Sequence, residues 1–418
     1  MNLAVISVGA LVVTIVLSFT TKVNVGVLAI ALAWVVGVLI GGMSFADVAA
    51  GFPAQLFLML TGVTLLFTQA QANGTLDRIA YYAVRSCRGN VGLIPIMFFF
   101  LAAGLASIGP GSIAMAALIG PMAMKVAGRA GISAFLMTIM VGNGANAGSL
   151  SPIAPTGIIV SGLMAKAGFT GVEWPTYFSV LLGHAGVAFA GYFLFGGLRL
   201  FRRSYRDPAA SAGDQPAMAF ERQHLLTMGV IGALILAVIL FKINVGMGAM
   251  AGAVLLAALR LDGGSDPIRQ MPWGPILMVS GVTVLIALLE KTQGMDLFTS
   301  MLARFSTRET VTATVAFVTG LISVYSSTSG VVLPAFLPTV PGLAAQLGGA
   351  DALGIAWSMC VGAHLVDISP LSTTGALCIA SAPAHEDYRA LFNKLLAWGL
   401  SMTVVAAAAC WVVFGLLR

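Results

Sequence analysis

Four short polar clusters interrupt a chain that is otherwise largely apolar, and they are where chemistry could sit. The first is Ser107-Ile108-Gly109-Pro110-Gly111-Ser112. The second runs from Asn143 to Thr156 and holds Gly142-Asn143-Gly144-Ala145-Asn146 and Ser151-Pro152. The third is Ser326-Ser327-Thr328-Ser329-Gly330, and the fourth runs from Asp367 to Thr374 through Ser369-Pro370. Hydroxyls, amides, Gly and Pro gathered in apolar sequence mark hairpin tips (the first and third) and broken helices (the second and fourth). A helix end leaves unpaired N–H groups on one side of a break and unpaired C=O groups on the other. The former attract anions and the latter cations. Any single hydroxyl is as well explained by capping or by bonding between helices. Four clusters of one kind point to a binding function.

Asp367 is the one acidic residue placed inside a break. A carboxylate at that depth is costly and functional by default. It could ligate Na⁺ with carbonyls and Ser369, or carry a proton; the plain alternative is a cap on the following half-helix. His364 lies three residues earlier and would share a helical face with it, as a proton relay or, the reading preferred here, as a satisfied structural histidine. His184 reads as a packing or interhelical hydrogen-bond residue. Neither His has a Cys or second His at metal-ligand spacing. Cys87, Cys360, Cys378 and Cys410 lie far apart and read as small apolar residues. No organic cofactor and no structural metal is implied. No Lys or Arg falls at mid-depth in any apolar span, so an anionic substrate would be held by helix N-termini, backbone N–H groups and hydroxyls.

The elements that position these clusters follow from composition. Of 418 residues, 59% are hydrophobic and 9% charged, against about 25% charged in a typical soluble domain. A soluble fold could not cover its surface with so little charge. This excludes a cytosolic enzyme, a nucleic-acid binder and a disordered chain, and leaves a polytopic membrane protein in a lipid bilayer. The net charge of +6 is orientation charge rather than a nucleic-acid signal. The start Met1-Asn2-Leu3 lacks the basic region of a cleavable signal.

The chain reads as two copies of one plan. Val23-Asn24-Val25-Gly26 recurs as Ile243-Asn244-Val245-Gly246, 220 residues later. Leu60-Thr61-Gly62-Val63-Thr64 recurs as Val279-Ser280-Gly281-Val282-Thr283, and Ser151-Pro152 with Gly157 recurs as Ser369-Pro370 with Gly375. The first repeat is 1–202, with a hairpin at 91–127 and a broken helix at 131–165. A linker, 203–222, joins it to the second repeat, 223–418, with a hairpin at 311–347 and a broken helix at 353–383. The hairpin limbs read as shorter than the roughly 20 apolar residues of a crossing helix. They fit re-entrant segments, which lipid tolerates only when buried in protein or lining a cavity. Each copy then crosses five times, an odd number, so the second copy is inverted. Lys166, Lys242, Lys291, Arg304, Arg308 and Arg418 fall on one side and the other fifteen of the 21 Lys and Arg on the side of the first hairpin's ends. The positive-inside rule makes the richer side cytoplasmic, with both termini outside. Inverted repeats with broken helices imply a secondary carrier with its site near the midplane.

At these residues the chain resembles the MatC-type malonate/dicarboxylate carriers of the ion transporter superfamily, which includes the divalent-anion sodium symporters. The likeness is closest from Asn24 through the Ser107–Ser112 tip to Gly142-Asn143-Gly144-Ala145-Asn146 and Ser151-Pro152. It implies a homodimer in a bacterial cytoplasmic membrane, scaffold and transport domains, and elevator-type alternating access, with amphipathic arms near 74–89 and 291–308 joining the domains. It places dicarboxylate between the two tips, with cations beside each tip and break. On this chain that assigns substrate to Ser107, Gly109, Gly111, Ser112, Asn146, Ser151, Pro152, Thr156, Ser327, Thr328, Ser369, Pro370, Thr373 and Thr374. It assigns cations to Asn143, Asn146, Ser326, Asp367 and Ser369, with Na⁺ favoured over H⁺. The symporters' Ser-Asn-Thr is absent from both tips here. A sodium/proton antiporter is the nearest competitor, although it needs more carboxylates at depth. An intramembrane hydrolase built on Ser369, His364 and Asp367 is the alternative from another class.

Overall fold

The structure, a computed structural model, describes residues 2–20, 23–87, 89–204, 219–241, 243–261, 266–380, 382 and 386–417. Most of the expected linker lies outside them, as do Lys22, Arg88, Arg206, Lys242 and Arg418. The described residues are helical, with one isolated bridge between Asn90 and Ser204.

The first half runs α1 (Leu3–Thr20), α2 (Val25–Trp34), α3 (Ala54–Ala72), α4 (Thr75–Arg85), α5 (Leu93–Ile108), α6 (Gly111–Ala130), α7 (Ala134–Gly148), α8 (Pro155–Lys166) and α9 (Glu173–Leu194). The second runs α10 (Arg222–Phe241), α11 (Val245–Ala258), α12 (Trp273–Lys291), α13 (Gly294–Ala303), α14 (Val311–Ser323), α15 (Thr328–Gln346), α16 (Ala352–Leu365), α17 (Thr373–Ala380) and α18 (Tyr388–Cys410). α15 opens in a π turn, Thr328–Val332. Among the described helices, α6, α9, α12, α15 and α18 with its extension to Leu416 are long and apolar enough to cross a membrane. The protein is a polytopic, all-helical membrane protein.

Two expectations need correction. The limbs α6 and α15 reach 20 and 19 residues, so length does not set them apart from crossing helices. α6 carries Pro121 internally and continues until Gly131 ends it in the left-handed region, φ 63°. The first break is also shorter than its Gly and Asn content implies. α7 continues through Asn143 and Asn146 to Gly148, and the chain leaves the helix only at 149–154. Tertiary packing overrides propensity here: α7 is buried at every residue from Leu136 to Gly148.

The repeated motifs meet one another. Asn24 caps α2 by accepting from the N–H groups of Gly26 and Val27, and Asn244 caps α11 by accepting from Met247. α2 packs on α12, and α11 packs on α3. A Cβ at Gly281 would strike the backbone of Gly26, and one at Gly62 would strike the backbone of Gly246. Each close crossing thus joins a glycine of one copy to a glycine of the other, as lipid-embedded helices require where backbones touch.

α7 and α16, the first limbs of the two broken helices, form the centre. α7 packs against α5, α6 and α9, and α16 against α14, α18 and α9. The post-break helices cross over: α17 packs on α6, and α8 contacts α15. Both ends of the α5–α6 hairpin lie beside Arg203. Its guanidinium donates to the carbonyls of Gly131 (3.0 Å) and Ala130 (3.2 Å), and its own carbonyl accepts from Val91 N–H. On the arm α4, Tyr82 stacks on Phe220 and Arg78 pairs with Glu221 at 3.4 Å. The arm α13 follows Thr292, whose hydroxyl shares a 2.7 Å hydrogen bond with Ser7 of α1.

Candidate functional site

The two tips, the second break and the starts of the post-break helices enclose a cavity of about 230 Å³. This lies below the roughly 300–1,000 Å³ of pockets for drug-sized molecules, and suits a small ion. Four helices begin at its wall, and each presents a hydroxyl from its first turn: Ser112 of α6, Thr156 of α8, Thr328 of α15 and Thr374 of α17. Each N-terminus carries about +0.5 of a charge. Together they offer about +2 without a cationic side chain; among the described residues no Lys or Arg lines the cavity.

The second tip contributes most. Ser326, Ser327, Thr328 and Ser329 all line the cavity. The Ser327 hydroxyl accepts from Gly330 N–H at 3.1 Å and caps the π turn. Thr328 bonds the Ser323 hydroxyl, lies 3.2 Å from the Ala363 carbonyl and is in hydrogen-bonding reach of Asp367. This hydroxyl therefore sits between the end of α16 and the second break, with one hydrogen to give to either. Asp367 lines the cavity, and its N–H donates to His364 O as α16 ends.

Other expected residues lie elsewhere. Ser107 donates back to Ala103 O (2.6 Å) and bonds Tyr177 (2.9 Å). Gly109 and Gly111 make the turn, at φ 151° and 78°. None of these three lines the cavity. Asn143 donates from Nδ2 to Ile139 O (2.9 Å), which leaves Oδ1 to accept from His184 Nδ1 (2.8 Å). It joins α7 to α9, and His184 is the interhelical hydrogen-bond residue that its position implies. Asn146 is fully buried, and among the described residues neither of its amide atoms has a partner. Ser151 and Pro152 form the first break without reaching the cavity. The Ser151 carbonyl lies where a Cβ at Gly157 would be, and the Ser369 carbonyl does the same over Gly375. That close approach accounts for the spacing shared by the two motifs. Ser369 and Pro370 are buried away from the cavity, with Ser369 against Gly399. The Thr373 side chain lies outside the described residues.

Sequence reasoning missed Tyr325 and Ser372 as lining residues and undervalued His364, which lines the cavity. Ser372 donates to the carbonyls of Asp367 (2.5 Å) and Ser369 (2.8 Å), and so shapes the second break. Its signal was its place in the fourth cluster. The three residues of the hydrolase alternative form no relay. The Ser369 hydroxyl accepts from Leu371 N–H, and His364 Nδ1 bonds Cys360 O.

Residues 1–149 match the family model described as the dicarboxylate carrier protein MatC N-terminus. The match supports a MatC-type dicarboxylate carrier, and that family is one of transporters. It covers the first tip and ends where the first break begins, so Thr328 and Asp367 lie beyond it. A comparison with curated proteins finds no match to the chain.

Proposed function

We propose that the protein is a secondary active transporter that imports a malonate-like C3–C4 dicarboxylate by cation symport, with elevator-type alternating access. The observation that carries this reading is the convergence of four helix N-termini and their hydroxyls on one cavity with no Lys or Arg. Partial charges of about +2 complement a dianion and still allow its release. Asp367 adds a carboxyl group beside it. A dianion next to a carboxylate in a low-dielectric site needs compensation, and co-entering cations supply it, with Na⁺ favoured. The buried, unpartnered amide of Asn146 supports a cation seat near the first break.

The two-repeat reading is supported by the same helix order in both halves and by the exchanged glycine contacts; the re-entrant hairpins, the homodimer built on a scaffold domain and the bacterial cytoplasmic membrane are what the family resemblance implies. The charge distribution along the sequence supports an orientation with both termini outside. Uptake of labelled malonate into proteoliposomes tests the function. We expect accumulation with an inward Na⁺ gradient at equal pH and none without it. Uptake indifferent to Na⁺ moves the coupling to protons. No uptake by folded protein in either condition removes malonate and favours the antiporter.

A further inference from the structure

Among the described residues His364 is the one imidazole on the cavity wall. Its Nδ1 lies 2.9 Å from the Cys360 carbonyl, one turn earlier in α16. A carbonyl can only accept, so Nδ1 carries a hydrogen. A neutral imidazole that carries its hydrogen on Nδ1 presents a lone pair at its second nitrogen, Nε2. Among the described residues no donor bonds Nε2, while the ring borders the cavity. The other polar side chains named on the wall, Asp367 apart, are hydroxyls, which can donate to a carboxylate. A plain dicarboxylate has acceptors only, so it leaves this acceptor facing another acceptor. A cargo that brings its own O–H group satisfies it.

We infer that His364 is a specificity-determining residue that accepts a hydrogen bond from a hydroxyl of the cargo, so that a 2-hydroxydicarboxylate is preferred to its plain counterpart. The inference rests on the dicarboxylate reading above and narrows it. Malonate and hydroxymalonate provide the comparison, because they share charge and carbon chain and differ by one hydroxyl. The cost of leaving a buried acceptor unpaired makes the expected preference about tenfold.

The test is equilibrium binding of both compounds to the purified full-length protein at about pH 7.5 and fixed Na⁺. Wild-type protein is expected to bind hydroxymalonate about tenfold more tightly. His364→Leu should bring the affinity ratio near one. His364→Gln, whose amide oxygen can accept from the same side, should keep most of it. A wild-type ratio near one overturns the inference, and so does a ratio that survives in H364L or vanishes in H364Q. Should H364L fail to fold, wild type and H364Q still decide it. Folded wild-type protein that binds neither compound overturns the dicarboxylate reading itself, and this inference with it.

Discussion

Replacing Ser327 and Thr328 by Ala together is expected to weaken malonate binding on the order of a hundredfold. The two hydroxyls do different things. Ser327 accepts from Gly330 N–H and holds the π turn that opens α15. Losing such a cap costs about 1 kcal/mol, or about fivefold if the tip must re-form around substrate. Thr328 lies between the Ser323 hydroxyl, the Ala363 carbonyl and Asp367. Removing it deletes the hydroxyl that sits between the tip, the end of α16 and Asp367, about a twentyfold effect. Thr328→Ser keeps the hydroxyl and should bind within about threefold of wild type. Binding to purified protein checks all of these. An unchanged affinity in S327A/T328A would take the second tip out of the substrate site.

Gly281→Val is expected to cost folded protein rather than affinity. A Cβ there would meet three backbone atoms of Gly26, none of which can swing aside as a side-chain tip could. α2 and α12 must separate. Overpacking a dense interior costs about 1–3 kcal/mol and occasionally more, and a glycine crossing in lipid stands at the upper end. Gly104→Ala is the control, because that helical glycine is exposed and a Cβ there meets nothing within 4 Å. Thermal unfolding in detergent, followed by tryptophan fluorescence, should show G281V collapsed or far less stable and G104A within about 0.5 kcal/mol of wild type. A G281V protein as stable as wild type would contradict the close crossing.

Most of the fold was legible because lipid allows so few backbone solutions. The spans, the arms and both hairpins follow from hydropathy and from Gly-Pro or Ser-Gly punctuation. The recurring motifs behave alike: Asn24 and Asn244 each cap a helix, and Gly26 and Gly246 each make a close backbone crossing. Positions inside the breaks were less legible. Asn143 and Asn146 read as break residues, yet burial on every face holds them in α7. Ser107 was indistinguishable in sequence from Ser112, although one bonds Ala103 and Tyr177 and the other starts α6 at the cavity. A rotation of about 100° per residue decides which serine faces which neighbour, and only the packed structure fixes that rotation. His364 and Asp367 both border the cavity, although α16 ends at Leu365 and Asp367 lies in the turn beyond it rather than on a shared helical face; nothing in the sequence showed that cavity.

The central claim is that the cavity between the two tips and the second break receives the dicarboxylate. Ser329→Cys tests it most directly, because Ser329 lines the cavity while Cys87, Cys360, Cys378 and Cys410 are all buried. The measurement is the rate at which a small charged thiol reagent modifies S329C, with and without malonate in Na⁺ buffer. The account predicts that saturating malonate slows modification at least about fivefold, while acetate at the same concentration does not. An S329C protein that binds malonate yet is modified at the same rate with and without it would place the substrate elsewhere.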